Sequence, residues 1–450
     1  MYNKINTLSL QGIKGEGDPV IKTRSFQDRG WLRLDNAAKL FPAIMSDDLT
    51  SVFRITALLK EPVRYSAIRE AVAITSKRFP YFNVSLGSGI FWNYLEFNDH
   101  LPRIQAEETI PCTAFAAKRR GEPLYRIIIK GKKISVEFIH ILTDGTGAME
   151  YLKSLLCTYL TLSGKQITSP GDIILPSTPV SDEEFEDGYN KFFQKLPPPV
   201  KLVKAWHLPF KPDKKLKLKI LRAEINVNEI LETARKNNVS VTEYFVSVYH
   251  FALQKIYMSS GEKSRRGNRK VLRIEVPVNM RKLFPIRTMR NFSLFVLPEI
   301  DLRLGTYTFE EILRSVHHQL QMSADIKQIS RFLSSNVSSE KHFIVRIMPL
   351  FIKKMVIASV YKGLASRRWT GIVTNMGPVT LPEEMQDMID SLEIIPPPPN
   401  PNVKINCALV SYKNRLRISF SNITQSNELE RLVLRHLADA GIHVKILNND

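Results

Sequence analysis

His140, Asp144 and Gly145 are the residues whose types and spacing best fit a catalytic site. A neutral imidazole has an ordinary pKa near 6.5, so it can accept a proton at neutral pH and act as a general base. A single histidine usually packs in a core or lies on the surface. With nine histidines in the chain, however, the pattern His-x-x-x-Asp-Gly is expected by chance only about 0.02 times. The full pattern therefore favours a general base.

The residues around His140 predict how it is positioned. Apolar residues alternate from Ile134 to Phe138 and indicate a strand that ends at His140. Residues 143–147 then predict a turn that leads into a helix beginning near Ala148. A strand end beside such a turn and a helix N-terminus is a place where binding clefts often open.

The pattern His140-x-x-x-Asp144-Gly145 resembles the active-site motif of the CoA-dependent acyltransferase superfamily. That superfamily includes chloramphenicol acetyltransferase, nonribosomal condensation domains, plant BAHD enzymes and alcohol acetyltransferases. A softer similarity to stand-alone alcohol acetyltransferases extends over about residues 25–450. It is carried by WLRLDNAAKLFPAI (31–44), RFPYFNVSLGSGIFW (78–92), VPVNMRKLFPIRTMRNF (276–292), TNMGPVTLPEEM (374–385) and residues 407–446.

This resemblance implies an α/β fold of two chloramphenicol-acetyltransferase-like domains. Each domain would be a mixed sheet flanked by helices, with an active-site tunnel at the interface between them. Helix and strand patterns in both halves of the chain independently favour an α/β architecture. Loss of hydrophobic periodicity and a gathering of prolines predict a linker at 169–219, between an N-terminal half at 25–168 and a C-terminal half at 220–450.

The resemblance also implies the roles of the motif residues. His140 would remove the proton from an acceptor hydroxyl or amine as the acceptor attacks a thioester carbonyl, without an acyl-enzyme. Asp144 would be architectural and pair with an arginine, for which Arg281 and Arg290 are the candidates. Gly145 would permit a backbone conformation or a close approach that a β-carbon forbids.

An oxyanion stabiliser is expected near the end of the apparent strand GIVTN. Thr374 or Asn375 could donate a hydrogen bond to the negative charge that develops on the thioester carbonyl. An ordinary turn explains these two residues equally well. Asn279 and Asn291 are expected to satisfy backbone groups.

Departures from the relatives leave three classes of function open. Ile139 occupies the place where nonribosomal condensation domains usually carry a first histidine, and the plant signature DFGWG is absent. A free-standing acyltransferase that uses acyl-CoA is therefore favoured. The alternatives are a carrier-protein-dependent condensing enzyme and a non-catalytic, peripheral membrane-binding module with the same fold.

The 450 residues include 64 Lys and Arg and 44 Asp and Glu, which leaves a net charge of +20. Such an excess favours anionic partners. The resemblance implies acyl-CoA as co-substrate and a small alcohol or amine as acceptor. The phosphates of CoA, or an acidic acyl carrier protein, would fit this charge. No bound cofactor, metal site or nucleic-acid partner is expected, and the chain is expected to be a monomer. Four basic residues are candidates for steering the donor: Lys214, Lys215, Arg265 and Arg266.

No signal peptide or membrane span is evident, so a cytoplasmic protein is predicted. The most apolar segment, from Phe343 to Ala365, contains Pro349 and is interrupted by four basic residues. The preferred interpretation is a kinked helix packed in the core with its lysines in water. A helix that lies on a membrane surface, with weak contact to anionic lipid, is the alternative.

Overall fold

Three β-sheets organise the described part of the chain. The computed structural model describes residues 30–107, 110–115, 119–215, 217–261, 270–363 and 367–448. The strands are β1 Trp31–Arg33, β2 Val52–Leu59, β3 Val84–Ser88, β4 Asn93–Phe97, β5 Arg103–Ala106, β6 Tyr125–Lys130, β7 Lys133–Ile139, β8 Lys219–Asn226, β9 Val271–Asn279, β10 Ser293–Val296, β11 Glu299–Asp301, β12 Gly371–Val379, β13 Ile389–Ile395, β14 Ile405–Tyr412, β15 Arg415–Asn422 and β16 Val444–Leu447.

Helices connect these strands and cover the sheets. The α-helices are α1 Phe41–Ile44, α2 Tyr65–Arg78, α3 Gly145–Leu162, α4 Gly188–Lys191, α5 Val227–Lys236, α6 Val241–Ser259, α7 Phe309–Ser323, α8 Ile326–Lys341, α9 Phe343–Ile347, α10 Leu350–Gly363, α11 Glu383–Gln386 and α12 Glu428–Asp439. Short 3-10 turns include Pro80–Phe82 and Asp182–Phe185.

Two of the sheets are mixed. The first runs β13-β2-β7-β6-β5, with β5 and β6 parallel. The second runs β10-β9-β12-β14-β15-β8-β16, with β11 beside β9, and β12 is parallel to both β9 and β14. A small antiparallel sheet, β1-β4-β3, completes the set. Together with the helices, these sheets confirm the predicted α/β class.

β13 crosses from one half of the chain to the other. It follows β12 and precedes β14, which are neighbours in the second sheet, but it pairs antiparallel with β2 at the edge of the first sheet. Glu393 of β13 forms an ion pair with Arg222 of β8, with 2.6 Å between the Arg222 Nε and Glu393 Oε1 atoms. The division into 25–168, 169–219 and 220–450 stays a prediction. In that division, β13 belongs to the C-terminal half, whereas its partner β2 belongs to the N-terminal half.

The predicted linker packs against both halves. Arg78 of α2 forms a two-pronged ion pair with the carboxylate of Glu184, with both distances 2.8 Å. The backbone carbonyl of Glu184 accepts from the N–H of Met289 at 2.7 Å. Farther along, Trp206 is buried in the core of the second half. The segment therefore ties the two halves together.

Local sequence signals locate several helix ends correctly. α2 ends at Arg78, two residues before Pro80, and the Ser-x-x-Glu pattern at Ser240 and the Thr-x-x-Glu pattern at Thr308 both form capping boxes. α3 begins at Gly145 rather than near Ala148. It starts early because the Asp144 side chain caps the backbone N–H groups of its first turn.

The segment predicted as a core helix is not in the core. Pro349 separates α9 from α10, and the large apolar side chains of both helices are mostly exposed. Within α10 the fully buried residue is Lys353. The core interpretation is therefore wrong for the described residues 343–363. In the described part of the chain, no helix is long and apolar enough to cross a membrane.

A protease site inserted after Val200 tests how firmly the halves are joined. Val200 is exposed, so the site can be cut without disturbing the core. We expect the cut chain to elute as one species in size-exclusion chromatography, because β13 and Glu184 hold the fragments together. The uncut insertion variant is the control. Two separate fragments in the absence of denaturant would contradict this prediction.

Candidate active site

The His140 backbone is fixed at the end of β7. Its N–H donates to the carbonyl of Ser51 at 3.0 Å. Its own carbonyl accepts from the side-chain amide nitrogen of Asn291 at 2.9 Å. One contact comes from the N-terminal half and the other from the C-terminal half, so His140 lies where the two halves meet.

Two phenylalanines hold the imidazole of His140. Phe41 of α1 stacks on the ring, with ring centroids 5.4 Å apart and planes 13° apart. Phe53 of β2 lies at 4.5 Å, tilted by 36°. The side chain remains partly exposed. Both phenylalanines contact the imidazole and fix the position of the ring.

The surroundings keep His140 neutral. Burial lowers the pKa of His140 from 6.5 to about 4, although the Asp144 carboxylate, the Asn291 side chain and the backbone at Thr143 favour the protonated form. At neutral pH the imidazole is therefore unprotonated and able to accept a proton.

The Asp144 carboxylate is buried and satisfied by four donors. Its Oδ1 accepts from the backbone N–H groups of Thr146 at 3.1 Å and Gly147 at 3.2 Å. Its Oδ2 accepts from Arg281 Nη1 and from the backbone N–H of Phe292, both at 2.9 Å. A carboxylate with this many donors orders the loop around it.

Of the two candidate arginines, Arg281 is the one that pairs with Asp144. Its Nε donates to the carbonyl of Thr288 at 2.7 Å, and its Nη2 donates to the carbonyl of Arg290. Arg281 therefore fixes Asp144 and the path of the 288–290 loop together.

Arg290 pairs instead with Asp35. Its Nε lies 3.7 Å from Asp35 Oδ2, and its Nη2 donates to the carbonyl of Arg33. Burial raises the pKa of Asp35 to about 6, and the charge of Arg290 partly opposes this shift. The Asn291 amide nitrogen also donates to Asp35, at 3.2 Å, so Asp35 is linked to the His140 carbonyl.

Sequence reasoning did not select Asp35. The signal that could have found it is a carboxylate inside the apolar opening block LRLDNAA. A charged residue in such a block is buried only with partners. Here the partners are the backbone N–H of Ala38 and the side chains of Arg290 and Asn291.

A neighbouring backbone segment approaches Gly147 closely, whereas Gly145 is approached by a side chain. A β-carbon at Gly147 would overlap Thr143 Oγ1 and the backbone carbonyl of Met289. A β-carbon at Gly145 would lie 2.6 Å from the Sδ of Met376, which belongs to a flexible side chain. Neither glycine has a positive φ. Both are needed for space and not for backbone conformation.

The two oxyanion candidates lie on β12 and not at its end. The pairing of β12 with β14 is irregular between Asn375 and Pro378. The Asn375 amide nitrogen donates to Thr242 Oγ1 at 2.9 Å, and its Oδ1 accepts from the N–H of Gly377 at 2.8 Å. Because Met376 lies against Gly145, this bulge adjoins the turn that follows His140.

The tunnel between the halves and the residues that steer the donor remain predictions. The structure has a cavity of about 410 Å³ between α2 and residues 176–180, lined in part by Lys77 and Arg78. Lys214 and Lys215 are exposed before β8, whereas Arg265 and Arg266 lie outside the described residues.

Comparison with known proteins shows the fold. No family model and no curated protein sequence matches the chain. Among solved structures, the first condensation domain of the calcium-dependent antibiotic synthetase, in complex with a substrate analogue, aligns with a TM-score of 0.59 and 13% identity, covering 93% of this chain and 99% of its own.

Two further structures align over similar lengths. TRI101 of F. sporotrichioides, complexed with coenzyme A and T-2, has a TM-score of 0.58 and 12% identity, with 93% of this chain and 100% of its own covered. The wax ester synthase/diacylglycerol acyltransferase of Marinobacter aquaeolei VT8 has a TM-score of 0.52 and 14% identity, with coverage of 91% and 100%. The chain therefore shares the fold of these condensation-domain and acyltransferase structures.

Alanine substitutions at Gly145 and Gly147 test which of the two positions has less space for a β-carbon. Gly147→Ala should lower the free energy of unfolding by about 1–3 kcal/mol, because backbone atoms of Met289 must move. Gly145→Ala should cost less, because the Met376 side chain can rotate away. Urea unfolding followed by circular dichroism measures both. A larger loss of unfolding free energy in Gly145→Ala than in Gly147→Ala would contradict the conclusion that the tighter contact is at Gly147.

Proposed function

We propose that this protein transfers an acyl group from a thioester, in the first instance acyl-CoA, to an alcohol or amine, with His140 as general base. The observation that carries the proposal is the environment of His140. A neutral, partly exposed imidazole is held at a strand end, beside an Asp144–Arg281 pair that joins the two halves. The shared fold with proteins that include a wax ester synthase and a structure complexed with coenzyme A supports it.

The reaction would be a direct attack. The acceptor oxygen or nitrogen forms a bond to the thioester carbonyl carbon while a ring nitrogen of His140 takes the acceptor proton. The tetrahedral adduct then collapses and breaks the carbon–sulfur bond. The departing CoA thiolate receives the proton from the imidazolium, so the base is restored and free CoA thiol is released.

Asp144 and Arg281 would position this base without touching substrate. The Asp144 charge favours the imidazolium that forms transiently at His140. For the oxyanion, Thr374 is the better of the two candidates, because the Asn375 amide nitrogen already donates to Thr242. Approach of the β12 bulge to Gly145 supports a role for this strand.

A His140→Ala variant tests the proposed base. Free thiol released from acetyl-, octanoyl- and palmitoyl-CoA is measured with a panel of alcohols and amines. We expect kcat/KM to fall by about 10²–10⁴-fold in His140→Ala, with an unchanged circular dichroism spectrum. His318→Ala, an exposed histidine on α7, is the matched control and should remain active.

Two outcomes would contradict parts of the proposal. Acceptor-dependent thiol release that persists in His140→Ala would remove His140 from the role of base. The native protein could also release no thiol from any acyl-CoA and yet transfer acyl groups from a carrier protein. That result would show that the donor is carrier-bound and is not acyl-CoA.

The pH dependence provides an independent test. Protonation of His140 at low pH removes the base, and its lowered pKa of about 4 places this loss well below that of an ordinary histidine. We expect kcat/KM to stay level as the pH falls from 8 through 6 and to decline only toward pH 4. Circular dichroism at each pH separates this titration from acid unfolding. Half-loss near the ordinary histidine value of about 6.5 would contradict it.

A further inference from the structure

An exposed apolar surface runs along α9 and α10. We call it the apolar ridge, and its members are Phe343, Ile344, Ile347, Phe351, Ile352, Met355, Val356 and Val360. Phe343, Phe351 and Met355 are 70%, 66% and 68% exposed. Large contiguous apolar patches are uncommon on soluble proteins and mark interaction sites.

The orientation of α10 is fixed by its buried lysine. Lys353 Nζ donates to the carbonyl of Phe91 at 2.9 Å and lies 3.3 Å from the centre of the Trp92 ring. The N–H of Leu350 donates to the carbonyl of Ile90, which is itself exposed, at 2.8 Å. Lys353 and the turn between β3 and β4 thus hold the helix with its apolar side outward.

The segment that carries the ridge has basic residues and no acidic ones. No Asp or Glu occurs between Glu340 and Glu383, whereas seven basic residues do: Lys341, Arg346, Lys353, Lys354, Lys362, Arg367 and Arg368. Arg346, Lys362 and Arg368 are exposed. An apolar face bordered by basic side chains is complementary to an anionic lipid surface, where the acyl boundary takes the apolar groups and the headgroups take the cations.

We propose that the apolar ridge docks this protein on an anionic lipid bilayer. Phe343, Phe351 and Met355 enter the boundary between headgroups and acyl chains, and the exposed basic residues contact the phosphates. A second copy of the chain is a poorer occupant, because a symmetric contact through the ridge would bring the exposed Arg346 and Arg368 of the two copies toward each other.

The ridge is one helix away from the candidate active site. α10 packs against α1, and Phe41 of α1 stacks on the His140 ring. Docking would therefore place the His140 region beside the lipid surface. The docking proposal itself does not rest on catalysis and is tested without an activity assay.

Vesicle co-sedimentation tests the docking surface with the full chain. Native protein is mixed with vesicles of phosphatidylcholine alone, or of phosphatidylcholine and phosphatidylserine in equal parts. We expect binding to the anionic vesicles that weakens as salt is added. The double variant Phe351→Ser with Met355→Ser should bind these vesicles at least about tenfold more weakly, because it loses the apolar side chains that insert into the bilayer. Arg346→Gln with Lys362→Gln should also bind about tenfold more weakly.

A matched control uses exposed apolar residues outside the ridge. Val200 and Leu304 are 79% and 81% exposed, so Val200→Ser with Leu304→Ser removes similar exposed surface and should bind like the native protein. Circular dichroism verifies that all variants are folded. The proposal is overturned by absence of anionic-vesicle binding, by equal binding of the ridge variants, or by ridge-dependent dimerisation without vesicle binding.

Discussion

Burial of the Asp144 carboxylate is the constraint on which the candidate site depends. A buried charge is tolerated only when donors replace the water it has lost. Two of its four donors come from the first turn of α3, and the other two come from Arg281 and Phe292. Arg281 is 137 residues away in sequence. The loop after His140 is therefore held by contacts from residues that are distant in sequence.

The same constraint separates the roles of the charged groups near His140. Asp144 is occupied by donors, so its charge acts on the imidazole at a distance. Asp35, paired with Arg290, is linked through Asn291 to the carbonyl of His140. The backbone is thus held by polar contacts and the ring by aromatic ones. The imidazole is thus positioned and neutral, and among the described residues no carboxylate is hydrogen-bonded to it in the way that a catalytic triad uses.

Local signals in the sequence were sufficient for the fold class, the capping boxes and the strand end at His140. They could not decide between Arg281 and Arg290, because that choice depends on the path of the 288–291 loop. They suggested that the segment at 343–363 is core, since its composition is apolar. Its exposure follows from a tertiary contact, the seating of Lys353 against Trp92. The pairing of β13 with β2 is likewise non-local and leaves no pattern within either strand.

That pairing also affects how the protein is made. β7 ends at residue 139 and β13 begins at residue 389, so about 250 further residues must be translated before the first sheet receives its edge strand. At roughly 5–20 residues per second, this delay is about 12–50 s. During that time β2 presents an open edge of unpaired backbone groups, which favours aberrant strand pairing. Completion of the first sheet is thus tied to synthesis of the C-terminal part of the chain.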